Sequence, residues 1–133
     1  MSNPEKIGKW LKILLYLFTI HSFTAGVLLI ILPSESLMYF GFETINRFFT
    51  TQSGVFHIVM AVCYLLSALK LNEASLMIHF IIIAKSLAAI FLLTYYFFVT
   101  HILFVLIFGF GDLAMAIILF MIYSLFKKEN HHQ

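Results

Sequence analysis

Apolar residues along this chain do not alternate with polar ones at the strand period, nor do they form one stripe at the helical period. They run together in four long blocks. The blocks extend from about Trp10 to Leu32, Thr50 to Leu69, Ala74 to Val99 and His101 to Phe126. A helix crossing a hydrocarbon core of about 30 Å needs roughly 20 residues, and each block supplies them. A transmembrane β-barrel would show shorter segments of alternating character. Helices buried in a soluble protein would carry polar outer faces, which these blocks lack. The expected fold is all-α: an integral membrane four-helix bundle, with residues 1–133 forming one domain of four spans.

The punctuation between the blocks agrees. Pro33 and the polar Ser34-Glu35-Ser36 end the first block, and Lys70-Leu71-Asn72-Glu73 separates the second from the third. Only Thr100-His101 separates the third from the fourth, so that turn must be tight. Asn3-Pro4-Glu5 reads as an N-cap, a proline at the first helical position and an acid in the first turn. Lys6, Lys9 and Lys12 before an apolar run have the layout of a signal peptide. The run from Ile13 to Leu32 is too long for one, and no small-residue cleavage site follows, so it is read as a retained first helix. The tail from Lys127 to Gln133, with its His131-His132 pair, reads as solvated.

Composition strengthens the assignment. The chain is 62% hydrophobic and 11% charged, against about 45–50% and 25% in soluble domains. Its mean hydropathy is +1.03, and a globule of this size has too little interior to hide so many Phe, Leu and Ile side chains. No basic stripe points to nucleic acid. Cys63, the only cysteine, reads as a small hydrophobe and permits no internal disulfide. Placement of charge sets the expected orientation. With four spans, Lys6, Lys9, Lys12, Lys70, Lys127 and Lys128 fall on one side, and Arg47 lies on the other beside Glu35 and Glu43. Both termini are therefore expected in the cytoplasm, in a bacterial-type inner (cytoplasmic) membrane, with the aromatic-rich segment 34–49 as an interfacial loop outside.

Each block carries one ionisable residue mid-span: His21, His57, Lys85 and Asp112. At 1.5 Å rise per residue they lie roughly 16–21 Å from the lysine-bearing end, within about one turn of one another. Charges at that depth cost several kcal/mol, about 2.5–3.5 each by insertion scales, and face a bundle interior or a wet space. The economical arrangement pairs Lys85 with Asp112 on neighbouring antiparallel helices, with the imidazoles completing the hydrogen bonds. Small residues beside them, Ala84, Ala88 and Ala89 near Lys85 and Gly109 and Ala116 near Asp112, would let the helices approach. Ser53, Gly54, His57, Ala61, Tyr64 and Ala68 form one face of the second span. His21 shares a face with Thr24 and Ala25.

These residues admit several readings. The cluster could be a lock that fixes helix register. It could be a site that binds or conducts a small solute, a proton or a lipid-soluble molecule, with His21, His57, Lys85, Asp112, Tyr64 and Ser53 as its residues. Thr51, Gln52 and Ser53 would continue that site to one surface, and Tyr64 and Ser67 toward the other. No cofactor is predicted; haem held by His21 and His57 is the one cofactor arrangement the residues allow. A metal site is disfavoured, because Lys85 would set a cation beside the metal. His79 reads as a satisfied interfacial histidine and His101 as an exposed one. No Ser-His-Asp arrangement, paired carboxylates or cysteine–histidine metal motif appears; a non-enzymatic protein is expected, and acid–base work on a lipid substrate by a His, Lys and Asp of the cluster is the third reading. The expected partners are the lipid bilayer and a homo-oligomer or larger membrane complex.

Gly26-Val27-Leu28-Leu29 leading to Pro33, Phe40-Gly41-Phe42, Ser53-Gly54-Val55-Phe56-His57, Ala84-Lys85 and Gly111-Asp112 together resemble the DoxX-like group of small bacterial membrane proteins. The resemblance implies a four-helix bundle and, for some members, a place near quinone-linked or redox complexes. The second span departs from the DoxX pattern, with Gln52 and His57 where an acidic residue is expected. No functional residue is transferred from it.

Overall fold

The structure is a computed structural model that describes residues 3–42 and 46–130. Glu43 and the His131–His132 pair lie outside the described residues. Helices α1 (Asn3–Ile31), α2 (Ser34–Tyr39), α3 (Arg47–Leu69), α4 (Ser75–Phe98) and α5 (Leu103–Asn130) make up the fold. No strand occurs among the described residues. Four of the helices are long and apolar enough to span a membrane, so the chain is a four-span membrane protein. The start of α1, the end of α5 and the α3–α4 turn share one end of the bundle, the basal end. The short helix α2 and the α4–α5 turn occupy the other, the distal end.

The helices overrun the apolar blocks where polar signals support them. α1 begins at Asn3 with Glu5 in its first turn and carries Lys6, Lys9 and Lys12 outside the apolar core. α3 begins at Arg47, three residues before the apolar block, because the Asn46 side chain accepts from Phe48 N–H at 3.0 Å and caps it. The largest departure is α2, which replaces the expected loop. Pro33 precedes it with φ −63°. Gly41 ends it at φ +80°, with Gly41 N–H on Met38 O and Phe42 N–H on Leu37 O. That double bond is a Schellman ending, in which the glycine supplies the left-handed residue. A Cβ on Gly41 would also run into the Ile102 side chain, so α2 sits directly on the start of α5. Phe40 and Phe104 meet edge to face at 4.8 Å beside the buried Leu37.

Around the bundle α1 neighbours α3 and α5, and α4 neighbours α3 and α5. The contacts are unequal. α1 packs most extensively on α3 and α4 on α5, which makes two tight pairs. Lipid tails are as apolar as leucine, so burial alone does not hold such helices together; close packing and polar bonds must. In the first pair Gly26 and Gly54 face each other so closely that a Cβ on either would lie 2.7 Å from the other's carbonyl oxygen. At the distal end the Arg47 guanidinium donates to Ile30 O at 3.0 Å and Leu32 O at 2.8 Å, satisfying carbonyls that the end of α1 leaves free.

The two pairs join around a core confined to the basal half. Leu11, Leu15 and Phe18 of α1 meet Tyr64 and Ala68 of α3, Ile78 and Ile81 of α4, and Leu119 and Tyr123 of α5. Tyr123 also donates to the Ser75 hydroxyl at 2.8 Å, tying α5 to α4.

Candidate functional site

The polar cluster sits on top of this core. Lys85 lies on the same face of α4 as the fully buried Ile78 and Ile81 and as Ala89, and is itself only 5% exposed. Its ammonium donates to Asp112 Oδ1 of α5 at 2.5 Å. The pair forms as expected from depth and small neighbours. Ala89 and Ala116 are buried, and a Cβ on Gly109 would lie 2.9 Å from Leu93, so α4 and α5 close on each other beside the ion pair.

On α3 the expected inward face holds: Gly54, Ala61, Tyr64 and Ala68 are buried, with Ser53 and His57 half-buried among them. His57 is near enough to feel the charges of Lys85 and Asp112 and the imidazole of His21. It makes no hydrogen bond among the described residues, and neither does His21. The imidazoles therefore do not complete the hydrogen bonding of the pair, contrary to expectation.

α1 presents a different residue from the one expected. Its inward line is Leu11, Leu15, Phe18, Ser22 and Gly26, a helical 4-3-4-4 spacing set by the apolar core below and the glycine contact above. His21 lies about 100° round from Ser22 and is exposed, as is Thr24, while Ala25 is half-buried. Ser22 is the site residue that residue type alone did not single out; its place in the 11-15-18-22 spacing was the available signal.

Ser22 and Tyr64 are each 0% exposed. Tyr64 stacks edge to face on Phe18 at 5.8 Å, and Asp112 acts on it electrostatically. A helical side chain leans toward the N-terminus of its helix, so the Tyr64 hydroxyl is carried distally, toward the level of the pair. Ser22 neighbours that hydroxyl. The two hydroxyls lie close enough that a small rotation would bond them to each other, and as placed neither Ser22 Oγ nor Tyr64 Oη has a hydrogen-bond partner among the described residues. The buried Ser67 and the half-buried Thr19 and Ser86 spend their hydroxyls locally, donating to the carbonyls of Cys63, Leu15 and Ile82 on their own helices. Ser67 thus offers no onward polar step beneath Tyr64, where the apolar core begins. Toward the distal side Thr51 and Ser53 are half-buried and Gln52 exposed.

The remaining histidines lie apart. His79 Nδ1–H donates to Ser75 O at 2.6 Å, and its ring meets Tyr123 edge to face at 5.3 Å. His101 is exposed beside Tyr96. Among the described residues no three His, Cys, Asp or Glu side chains gather as metal ligands would. The cluster is thus a neutral ion pair with one unbonded imidazole and two unpartnered hydroxyls, at mid-depth in an apolar bundle. Comparison with protein-family models, curated proteins and solved structures finds no match for this chain.

Proposed function

We propose that this four-span protein is a non-enzymatic binding protein of a cytoplasmic membrane, with both termini in the cytoplasm, that holds a small molecule between its helix pairs at mid-bilayer. Ser22 Oγ and Tyr64 Oη carry this reading. The large majority of buried side-chain polar groups have a partner, and leaving one unmade costs about 1–3 kcal/mol. A lock needs neither hydroxyl. A guest that accepts from or donates to them would recover that cost, with Asp112 and His57 beside it. The filled basal half supports binding over conduction, since the polar line ends at Tyr64.

Native mass spectrometry of protein extracted in mild detergent should show a bound small molecule. Replacing both hydroxyls with their apolar counterparts, Tyr64→Phe with Ser22→Ala, should remove it. A wild-type protein without such an adduct, together with an equally or more stable variant, would overturn the reading. The direct Lys85–Asp112 bond supports a second reading, a structural or assembly subunit whose pair only fixes packing. His57→Asn separates the two: a lock keeps its stability and loses nothing else, whereas a binding site loses adduct. Orientation is tested with Met38→Cys in a Cys63→Ala background. Met38 is 62% exposed on α2, and an impermeant thiol reagent should label it from outside intact cells. Labelling from the cytoplasmic side alone would reverse the topology.

A further inference from the structure

The distal half of the bundle loses its cover. Residues seven apart share a helix face, so one stripe can be followed from base to tip. On α1, Leu14 packs on the core, but His21 is exposed and Leu28 is 43% exposed. On α5, Met115 packs on the core, but Phe108 is 44% exposed. Cys63 and Met77 likewise give way to Phe56 at 61% and Phe91 at 63%. The core that joins α1/α3 to α4/α5 is basal, and these stripes are uncovered above it.

His21 marks one flank of that uncovered region. It precedes Gly26, which meets α3, by five residues, or about 140° round the helix, and the other main neighbour of α1 is α5. On α5 the stripe Gly111, Met115, Ile122, Phe126 faces α1, because Phe126 lies 3.1 Å from where a Gly8 Cβ would be. Met115, Ile122 and Phe126 are packed, yet a Cβ on Gly111 would meet nothing within 4 Å. An exposed imidazole on α1 and an uncovered glycine on α5, next to Asp112, thus border the α1–α5 seam at mid-bilayer depth. Polar side chains there normally face protein or water, not hydrocarbon.

We infer, resting on the binding reading above, that the guest is a neutral amphiphile that enters sideways from the distal leaflet between α1 and α5. Its hydrogen-bonding head lies at Tyr64, Ser22 and Asp112, and its apolar tail passes Phe108 and Leu28. Entry along the bundle axis is closed basally by the core, while α2 covers the distal start of α5. Lys85 and Asp112 neutralise each other, so an ionised head would bring an unpaired charge into the interior. The uncovered flanks are apolar and suit an acyl chain.

A diazirine-bearing monoacylglycerol, photolysed with the full-length protein in phosphatidylcholine vesicles, should label mid-span peptides of α1 and α5. Tyr64→Phe with Ser22→Ala should reduce that labelling about tenfold, the loss expected from one to two hydrogen bonds. Gly111→Trp should reduce it as strongly by filling the seam. Gly111→Leu should do so in part and Gly111→Ala not at all, with thermal stability recorded for each so that misfolding is seen directly. Labelling lost in the hydroxyl variant but intact in a folded Gly111→Trp would overturn sideways entry and leave the binding reading standing. Stronger labelling by a diazirine fatty acid would overturn the neutral class. Even labelling of all lipid-facing peptides, unchanged by either variant, would overturn the amphiphile while the native-mass adduct still judges the site. Disulfide-linked dimers of a His21→Cys variant without glyceride labelling would assign the flank to a second copy of the chain and overturn the proposal.

Discussion

Lys85→Met should destabilise the bundle by about 3–5 kcal/mol, the loss found when one member of a buried ion pair is removed. The change strands Asp112, whose side chain is only 16% exposed and whose carboxylate takes its bond from Lys85. Asp112→Leu should cost a similar amount by stranding the ammonium. The double variant, Lys85→Met with Asp112→Leu, should recover most of the loss, because two apolar side chains of similar size leave no charge behind. Thermal or denaturant unfolding in detergent measures all three. Losses that simply add in the double variant would show that the two residues do not act on each other. The same experiment bears on function. Removing the pair leaves Ser22 and Tyr64 in place, so a guest held by the hydroxyls should weaken by less than the single-variant stability loss, whereas a lock loses its whole purpose.

Depth was legible in the sequence because it follows from counting. Four apolar blocks, each with one ionisable residue at a similar distance from a lysine-marked end, place Lys85 and Asp112 at one level, and the small residues beside them allow the approach. Rotation about each helix was legible only where a stripe of core residues existed to fix it. On α3 the sequence Gly54, Ala61, Tyr64, Ala68 fixed it correctly. On α1 every side chain near His21 is apolar or small, so residue type pointed to the imidazole, while the packing of Leu11, Leu15 and Phe18 turns Ser22 inward instead. The absence of an amphipathic pattern, which identified the spans, is also what hid their faces. Helix α2 was obscured for another reason. Six residues give no periodic signal, and its ending depends on the Gly41 backbone and a contact with Ile102 sixty-one positions later. Asn46 was a readable cap, and following it would have started α3 at Arg47.

That the core joining the pairs stops short of the distal half has a cause in the same residues. Basally all four helices contribute medium or large side chains to one core, and Tyr123 bonds across to Ser75. Distally α1 and α3 meet through glycines and α4 meets α5 across Gly109, so each pair is drawn together, and it is α2, through Phe40 and Gly41, that reaches the other pair at Phe104 and Ile102. Tight pairing and the basal limit of the core are then two results of one distribution of small residues. The opposite behaviour of individual glycines tests this.

Gly26→Ala and Gly54→Ala should each destabilise the protein, whereas Gly111→Ala should be neutral or stabilising. In a helix alanine is favoured over glycine by about 0.8–1.0 kcal/mol, so a steric penalty must exceed that to be seen. At Gly26 the new Cβ would lie 2.7 Å from Gly54 O and 2.8 Å from Ile58 Cγ1; at Gly54 it would lie 2.7 Å from Gly26 O. A backbone oxygen cannot rotate away, so α1 and α3 must separate, and overpacking of this kind costs about 1–3 kcal/mol. The net loss should reach up to about 2 kcal/mol for alanine, and about 3 kcal/mol or more for Gly54→Leu. Separation also drags on the bonds from Arg47 to Ile30 and Leu32, which span the same two helices. Because one separation relieves both clashes, Gly26→Ala with Gly54→Ala should cost clearly less than the sum of its parts. At Gly111 nothing stands within 4 Å, and only the helical preference for alanine remains. Unfolding curves that place all three alanine variants together, or strict additivity at the Gly26–Gly54 contact, would show that the helices do not meet backbone to backbone.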